Sequence, residues 1–281
     1  MAQYRQAKAD LLLEQLHRQQ SGRLTLFLGA APGVGKSYAM LVRAHALLAQ
    51  QQDVVIGYIE THGRVETEQL LQGLPMIPRS QWQAQGRIWE EMDLDAILAR
   101  QPKVVIVDEL AHHNAAGSRH SKRWQDVQEL LDAGIDVLSA MNIQHLESLG
   151  DVVLQITHIR VQETVPDLIL QHIRDIRLID LPVNELLERL EQGKVYVPEH
   201  IQSALHGFFS PSNLNALREL AIQTVAQYVD NDLRESSALT AQAALALQTH
   251  VLAVIDGRGQ SATIVRASCR VAEKYTAKWT V

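Results

Sequence analysis

A glycine-rich turn between an apolar run and a helical pattern is the feature that most constrains the fold of this chain. The apolar run 24–28 leads into the turn 29–35, and Lys36 and Ser37 then open a segment with helical spacing of apolar residues. A buried strand, a glycine-rich loop and Gly-Lys-Ser at a helix start form the layout of a phosphate-binding loop. Such a loop holds phosphates with backbone N–H groups and a helix N-terminus. The sequence therefore predicts an α/β domain with a nucleotide site at this turn.

The residues of this loop have separate predicted roles in phosphate binding. Gly33 and Gly35 let the backbone approach the phosphates because they carry no side chain. The Lys36 ammonium would lie on the β- and γ-phosphates, and the Ser37 hydroxyl would bind Mg²⁺. The loop keeps the usual length, although Ala30 stands where the strict pattern has glycine. The predicted nucleotide-binding residues of this segment are Gly29, Ala31, Pro32, Gly33, Val34, Gly35, Lys36, Ser37 and Tyr38.

Apolar runs alternate with helical patterns along the first two thirds of the chain. This alternation predicts a mostly parallel sheet with helices on both faces, similar to that of phosphate-loop nucleoside triphosphatases (P-loop NTPases). The predicted strands are 24–29, 53–59, 103–107, 135–140 and 176–180, and the predicted helices between them are 35–51, 64–72, 93–100 and 121–133.

The pattern changes along the chain in a way that predicts several parts. The nucleotide-binding core is followed by helices and then by a fresh strand at 251–255, which starts a second α/β pattern. The predicted parts are an N-terminal helix over 1–21, the core over 22–181, a helical extension over 182–235, a linker over 236–250 and a partial second α/β domain over 251–281.

Charge and composition limit the partners of this chain. The 26 basic and 32 acidic residues leave a net charge of −6, so no general attraction to nucleic acid or to an anionic membrane is expected. The single cysteine, Cys269, excludes an internal disulfide. No apolar run is long enough for a transmembrane helix, and no signal peptide follows Met1, so we expect a cytoplasmic location. The 12 histidines match no zinc template.

A second predicted strand ends in two carboxylates, Asp108 and Glu109. In phosphate-loop proteins an acidic residue at such a strand end holds Mg²⁺. A glutamate directly after it orients or deprotonates the attacking water. We therefore predict Asp108 and Ser37 as metal-binding residues and Glu109 as a catalytic base beside Lys36. The alternative is an ordinary strand that ends in solvated acids.

Three further polar residues are candidates for the same site. Glu60 follows the run 53–59 and Asn142 follows the run 135–140, so both are expected at the carboxyl edge of the sheet, where ligands bind. Arg119 lies in a basic loop and would contact the γ-phosphate as a catalytic residue. For these three residues a purely structural role, in a polar turn, a buried strand end or a basic surface loop, is an equally good interpretation.

Seven segments carry a resemblance to a known family, and they are 29–41, 60–64, 107–112, 117–120, 122–127, 144–149 and 193–198. In this order they resemble the nucleotide-binding region of the KdpD family, the sensor kinases that control the bacterial Kdp potassium pump. The resemblance extends over about residues 10–235. The family usually has threonine where Ser37 stands, and either hydroxyl serves the metal.

The resemblance implies ATP and Mg²⁺ as ligands, and no guanine-reading Asn-Lys-x-Asp motif is present. The partners that it implies are the remainder of the sensor kinase, its response regulator and the potassium pump. Residues 251–281 resemble the start of the universal-stress-protein-like domain of this family, where a cyclic dinucleotide would bind. The family's transmembrane helices and histidine-kinase core are missing, and so is the His-Glu pair of a phosphoacceptor helix. We therefore expect a piece of an inner-membrane sensor, cut within a βαβ pattern, rather than a natural short form.

Three functions agree with these observations. The first is a regulatory ATP-binding region of a potassium sensor histidine kinase. The second is an enzyme, either an ATPase or a protein serine/threonine kinase that transfers the γ-phosphoryl group to a pump or partner protein. The third is a stand-alone scaffold with a nucleotide as structural ligand.

Overall fold

The structure is a computed structural model, and it describes residues 21–84, 87–193, 207–240, 250–255, 261–274 and 278–280. It divides into two compact units, Met1–Val225 and Ala226–Val281. The helix predicted over 1–21 lies outside the described residues except for Ser21. The same holds for the family segment 193–198 beyond Gly193.

Five parallel strands form the central sheet of the first unit. In spatial order they are β2 (Val54–Tyr58), β5 (Val104–Val107), β6 (Asp136–Asn142), β1 (Leu24–Gly29) and β7 (Ile173–Ile179). Each strand overlaps one of the five apolar runs, so the predicted α/β class with a parallel sheet is confirmed. Because β6 lies between β1 and β5, the loops after these three strands meet at the carboxyl edge of the sheet.

Burial explains why these strands are so apolar. All residues of β2 and β5 are buried, as expected for parallel strands that are covered on both faces. Helix α1 (Lys36–Ala49) buries Met40, Leu41 and Ala44 in the same apolar cluster as Phe27 of β1 and Ile56 of β2. The helix therefore anchors the glycine-rich turn to the sheet from which it emerges.

Shorter elements connect the strands of the sheet. The helices are α2 (Val65–Gln69), α3 (Leu94–Arg100), α4 (Arg123–Asp132) and α5 (Gly150–Thr157). Three 3₁₀ turns cover Ile143–His145, Glu147–Leu149 and Asp167–His172.

An antiparallel hairpin of β3 (Ser80–Ala84) and β4 (Arg87–Glu91) lies between α2 and α3. No strand is predicted for this stretch from the sequence, because it is short and mostly polar and lacks a continuous apolar run. The hairpin matters for the site because its last residue, Glu91, is buried and binds Arg123.

The helical extension packs against the glycine-rich turn. Helix α6 (Val183–Glu191) contributes Leu186 and Leu190, and the start of α7 (Pro211–Thr240) contributes Leu214, to an apolar cluster that includes Ala31 and Val34 of the turn. One side of the turn is thus buried against the helical extension. Helix α7 continues past residue 235, where the sequence predicts its end, and the linker beyond Thr240 lies outside the described residues.

Beyond the end of α7, the described residues of the second unit form a strand, a helix and a strand. Strand β8 (His250–Leu252) pairs in parallel with β9 (Lys278–Thr280), and α8 (Ser261–Lys274) lies between them in the chain. This order matches the predicted second α/β pattern. Within the described parts of the chain, no helix has the length and apolar character needed to cross a membrane.

Candidate functional site

The glycine-rich turn has the backbone geometry that its sequence predicts. Strand β1 ends at Gly29, helix α1 begins at Lys36, and Gly33 and Gly35 have φ angles of 89° and 98°. Residues with a side chain rarely adopt these angles, so glycine is needed at both positions. A Cβ atom on Gly29 would lie 2.6 Å from Cγ2 of Val34, which shows that the turn folds back closely on the strand end.

A hydrogen bond joins the start of α1 to the end of β5. The Ser37 hydroxyl donates to Oδ2 of Asp108 over 2.7 Å, and Oδ1 of Asp108 accepts from the backbone N–H of Glu109 over 2.9 Å. Asp108 is only 4% exposed. Both of its oxygens are therefore held in fixed directions, one of them toward the helix N-terminus.

Lys36 is directed across the turn toward the end of β6. Its Nζ donates to the carbonyl oxygen of Ala31 over 3.2 Å and also to Oδ1 of Asn142. Burial lowers the pKa of Lys36 to about 8, with Asp108 acting in the opposite direction and the Arg64 charge adding to the decrease. An anion beside Lys36 would raise this pKa again, because it would stabilise the ammonium.

Glu109 has an unusual backbone and an altered pKa. Its φ of 54° lies in the left-handed region, which is uncommon for a residue with a side chain and recurs at functional sites. Burial and the neighbouring Asp108 charge raise the pKa of Glu109, and the charges of Arg123, His62 and His112 oppose this rise. A carboxylate with a raised pKa is better suited to accept a proton at neutral pH than an ordinary one.

A cavity of about 710 Å³ lies at this edge of the sheet. It brings together seven of the residues predicted from the sequence: Pro32, Gly33, Lys36, Ser37, Asp108, Glu109 and Asn142. Tyr38, Val34 and Gly35 line a second cavity, which shares Gly33 and Ser37 with the first. Gly29 and Ala31 support the turn from beneath, because Gly29 packs on Val34 and the buried Ala31 accepts the Lys36 hydrogen bond through its carbonyl oxygen.

Two predicted site residues are engaged elsewhere in this structure. Nη1 of Arg119 lies 2.5 Å from Oε1 of Glu129, and its Nη2 pairs with Asp95 of α3. The carboxylate of Glu60 lies 3.6 Å from Nη2 of Arg79. Asp95 and Glu129 thus hold Arg119, and Arg79 holds Glu60. Neither of the two predicted residues lines the 710 Å³ cavity. A contact of Arg119 with phosphate therefore does not follow from this arrangement.

The structure adds charged residues that the sequence analysis does not assign to the site. Arg64 lines both cavities and Arg189 of α6 lines the second. Arg64 lies in the segment 60–64 that resembles the known family, so the sequence carried a signal that could have marked it as a site residue. Arg189 is one arginine in an ordinary amphipathic helix, and nothing local marks it. His145 also lines the first cavity, and burial lowers its pKa.

A buried arginine contacts both of the acidic residues that follow β5. Arg123, at the start of α4, is fully buried, and its Nη2 donates to Oε2 of Glu91 over 2.8 Å. Its Nη1 lies 3.4 Å from the carbonyl oxygen of Asp108 and 3.7 Å from Oε2 of Glu109. Its guanidinium carbon lies 3.7 Å from the centre of the Tyr58 ring. The guanidinium group of Arg123 in α4 therefore contacts both the hairpin and the central sheet, next to Asp108 and Glu109.

The oxygen atoms of Ser37 and Asp108 fit a magnesium ion. Hydroxyl and carboxylate oxygens are the hard ligands that Mg²⁺ prefers, and this ion usually completes its shell with water and substrate phosphates. Among the described residues, no group of three or more His, Cys, Asp or Glu side chains is arranged to hold a metal ion by itself. A magnesium ion here would therefore depend on ligands from a bound phosphate group.

A five-stranded parallel sheet flanked by helices, with a glycine-rich turn and paired carboxylates at its carboxyl edge, defines an α/β protein with a cavity, a candidate ligand site, at the end of its central strands. The model of the family described as "KdpD: Osmosensitive K+ channel His kinase sensor domain" matches residues 20–229. The chain therefore belongs to the KdpD family.

Three bacterial relatives support this assignment, and each of them is named "Sensor protein KdpD". The Escherichia coli (strain K12) protein is 45% identical over 271 residues, 96% of this chain and 30% of the relative. The Clostridium acetobutylicum protein is 43% identical over 273 residues, 95% of this chain and 30% of the relative. The Mycobacterium tuberculosis (strain H37Rv) protein is 46% identical over 260 residues, 92% of this chain and 30% of the relative. The chain thus spans about 30% of the length of these relatives.

Proposed function

We propose that this chain binds ATP with Mg²⁺ and is the nucleotide-dependent regulatory region of a potassium sensor histidine kinase that controls Kdp transport. The observation that carries the proposal is the hydrogen bond between Ser37 and Asp108. It joins a helix N-terminus that follows a glycine-rich turn to a carboxylate at a strand end, as a magnesium–phosphate site requires.

The roles of the individual residues follow from their positions. The backbone of 31–35 would surround the phosphates, and Lys36 would leave its bonds to Ala31 and Asn142 to contact a phosphate oxygen. Magnesium would neutralise phosphate charge, with Ser37 and Asp108 holding it directly or through water. The packing of α6 on Ala31 and Val34 supplies a route from the turn to the helical extension.

The partners proposed for this region follow from family membership. The relatives are sensor proteins more than three times as long as the matched segment, so the remainder of such a kinase is the first partner. The response regulator and the potassium pump are the further proposed partners, and the cytoplasm is the proposed location.

A binding experiment tests the proposal. Isothermal titration with ATP in Mg²⁺ buffer should give saturable binding to the parent chain, and Lys36→Ala should weaken it about 30-fold or more, since a buried charged contact is lost. Lys103→Ala is the matched control, because Lys103 is exposed and pairs with Asp136 at the other end of the strands. Equal ATP affinity in the parent and Lys36→Ala would refute the loop assignment.

The geometry of Glu109 favours a second candidate function, ATP hydrolysis or phosphoryl transfer to a protein hydroxyl. Glu109 lines the cavity beside Asp108, and its pKa is raised. As a general base it would take a proton from water or from a hydroxyl group as the new bond to the γ-phosphorus forms, while the bond to the bridging oxygen breaks and ADP leaves. Phosphate release, together with label transfer to the purified pump, separates this enzyme from a regulator that binds ATP without turnover.

A further inference from the structure

Two arginines from separate parts of the chain lie beside the glycine-rich turn. Arg64 immediately precedes α2, and Arg189 lies in the last turn of α6. Both line a second cavity of about 940 Å³, which also includes Gly33, Gly35 and Tyr38. Arg64 lines the first cavity as well, next to Lys36 and Asp108. The two arginines, one from the start of α2 and one from α6, therefore share the lining of one cavity beside the turn.

Arg189 is held at the turn by the packing of its own helix. Its Nη1 lies 3.5 Å from the carbonyl oxygen of Gly33, a long contact across 156 residues of sequence. Leu186 and Leu190 of the same helix are buried with Ala31 and Val34 of the turn. The apolar face of α6 thus fixes the position of the arginine, while its guanidinium makes only a weak bond that a stronger acceptor would replace.

The charges at this edge of the turn are mostly positive. Burial lowers the pKa of Arg64, the Asp108 charge opposes this decrease, and the charge of Arg189 contributes to it. Arg64 in turn contributes to the lowered pKa of Lys36. Arg64 is thus repelled by both Lys36 and Arg189 in a partly buried site, which costs free energy, and a polyanion placed beside these cations would relieve that cost.

We propose that Arg64 and Arg189 bind the phosphate chain of a nucleoside triphosphate together with Lys36, and that Arg189 couples this charge to helix α6. The proposal rests on the proposed nucleotide site. Guanidinium groups bind two phosphate oxygens at once, which suits them to this role. A triphosphate carries more charge than a diphosphate, so the two arginines favour the triphosphate. The extension would then distinguish ATP from ADP through Arg189.

The first test compares nucleotide affinities in single variants. Arg64→Ala and Arg189→Ala should each lower ATP affinity in Mg²⁺ buffer about 10- to 100-fold, since a charge-assisted hydrogen bond is lost. The loss for ADP should be smaller, and added salt should reduce the difference between parent and variants. The lysine variants Arg64→Lys and Arg189→Lys should recover part of the affinity. The exposed Arg160→Ala is the matched control.

The outcomes separate this proposal from the proposed function. If Lys36→Ala abolishes ATP binding while Arg64→Ala and Arg189→Ala bind ATP and ADP like the parent, the nucleotide site stands and the arginine assignment fails. Unchanged affinity in one of the two variants removes that arginine from the site. If Lys36→Ala itself binds like the parent, the proposed function fails. If an alanine variant melts more than a few degrees below the parent, the corresponding lysine variant is measured instead. An ATP affinity of that lysine variant equal to that of the parent then counts against the proposal.

A second measurement addresses the coupling to α6. Hydrogen exchange of the segment 183–191 should slow when saturating ATP is added to the parent, and much less with ADP. In Arg189→Ala at saturating ATP, this protection should be absent while residues 31–37 remain protected. Equal protection of α6 in Arg189→Ala and the parent would refute the coupling role, because the helix would then respond through apolar packing alone.

Discussion

The Ser37 hydroxyl donates a hydrogen bond to the Asp108 carboxylate over 2.7 Å, although the two residues are 71 positions apart in the chain. One residue begins the helix after the glycine-rich turn, and the other follows the buried strand β5. Because strand β6 lies between β1 and β5, the bond joins the ends of two strands that are not neighbours in the sheet. This pair is where the proposed magnesium ion would bind.

Asp108→Asn should remove the dependence of ATP binding on Mg²⁺. Asparagine still accepts the Ser37 hydrogen bond but carries no charge to attract the ion. We expect ATP affinity in Mg²⁺ buffer to fall about 10-fold, toward the value in EDTA, when both are measured by titration calorimetry. Asp53→Asn, in an exposed pair with Arg100, serves as the control. An undiminished Mg²⁺ effect in Asp108→Asn would exclude this residue from the metal site.

Glu109→Gln should retain ATP binding and, if the chain turns ATP over, reduce the rate about 100-fold or more, because the amide cannot accept the proton. The base must be ionised to act, and its raised pKa moves the acid limb of the rate profile to higher pH. Turnover in the parent should therefore rise with pH through that pKa. Phosphate release measured across pH 5–9 checks both points, and a Glu109→Gln rate equal to that of the parent would exclude the base role.

Removing the buried cation beneath the site should destabilise the fold. Arg123→Met leaves the buried Glu91 with only His112 and the Ala115 N–H as partners, so the loss is at most about 3–5 kcal/mol, the cost of breaking a buried ion pair. Urea denaturation followed by circular dichroism measures this loss. The double variant Arg123→Met with Glu91→Gln should recover much of it, because no isolated charge remains. Arg119→Ala removes an exposed arginine with two acidic partners and should shift the midpoint far less.

Asp126 makes stability depend on pH. Burial raises its pKa from 3.8 to about 6, and the hydrogen bond from Asn114 opposes the rise. Between these two pH values the folded chain holds a proton on Asp126 that the unfolded chain releases. The contribution of Asp126 to the free energy of unfolding therefore falls as pH rises from about 4 to 6. Asp126→Asn should therefore be more stable than the parent at pH 7–8, by about 1–3 kcal/mol. The gain should shrink below pH 6 in urea titrations, and a pH-independent difference would contradict this assignment.

Gly35→Ala should damage the turn, although its Cβ would meet no neighbour. The φ of 98° is unfavourable for alanine, and the resulting strain costs about 1–2 kcal/mol. If the turn relaxes to avoid this strain, its N–H groups leave their positions, and ATP affinity should fall as well. Gly150→Ala is the matched control, because this site is equally open but has helical angles. Unfolding curves and ATP titrations of both variants measure the difference.

Local signals in the sequence were sufficient for the parts of the site that adjoin one strand end. Lys36 and Ser37 follow a glycine-rich turn, and Asp108 follows an apolar run, so each was predictable from a few neighbouring residues. The ion-pair partners of Arg119 were not predictable in this way. Its basic neighbours suggested a phosphate contact, but Asp95 and Glu129 compete for its charge in the folded chain.

The sequence alone therefore determined the α/β class, the turn and the carboxylates after β5, because the period of apolar residues and the backbone needs of glycine act within short segments. The tertiary structure decided which distant groups join them. The insertion of β6 beside β1 brings Asn142 to Lys36, and the packing of α6 brings Arg189 to Gly33. These two contacts join residues that are more than a hundred positions apart in the chain, and no local pattern of residues records them.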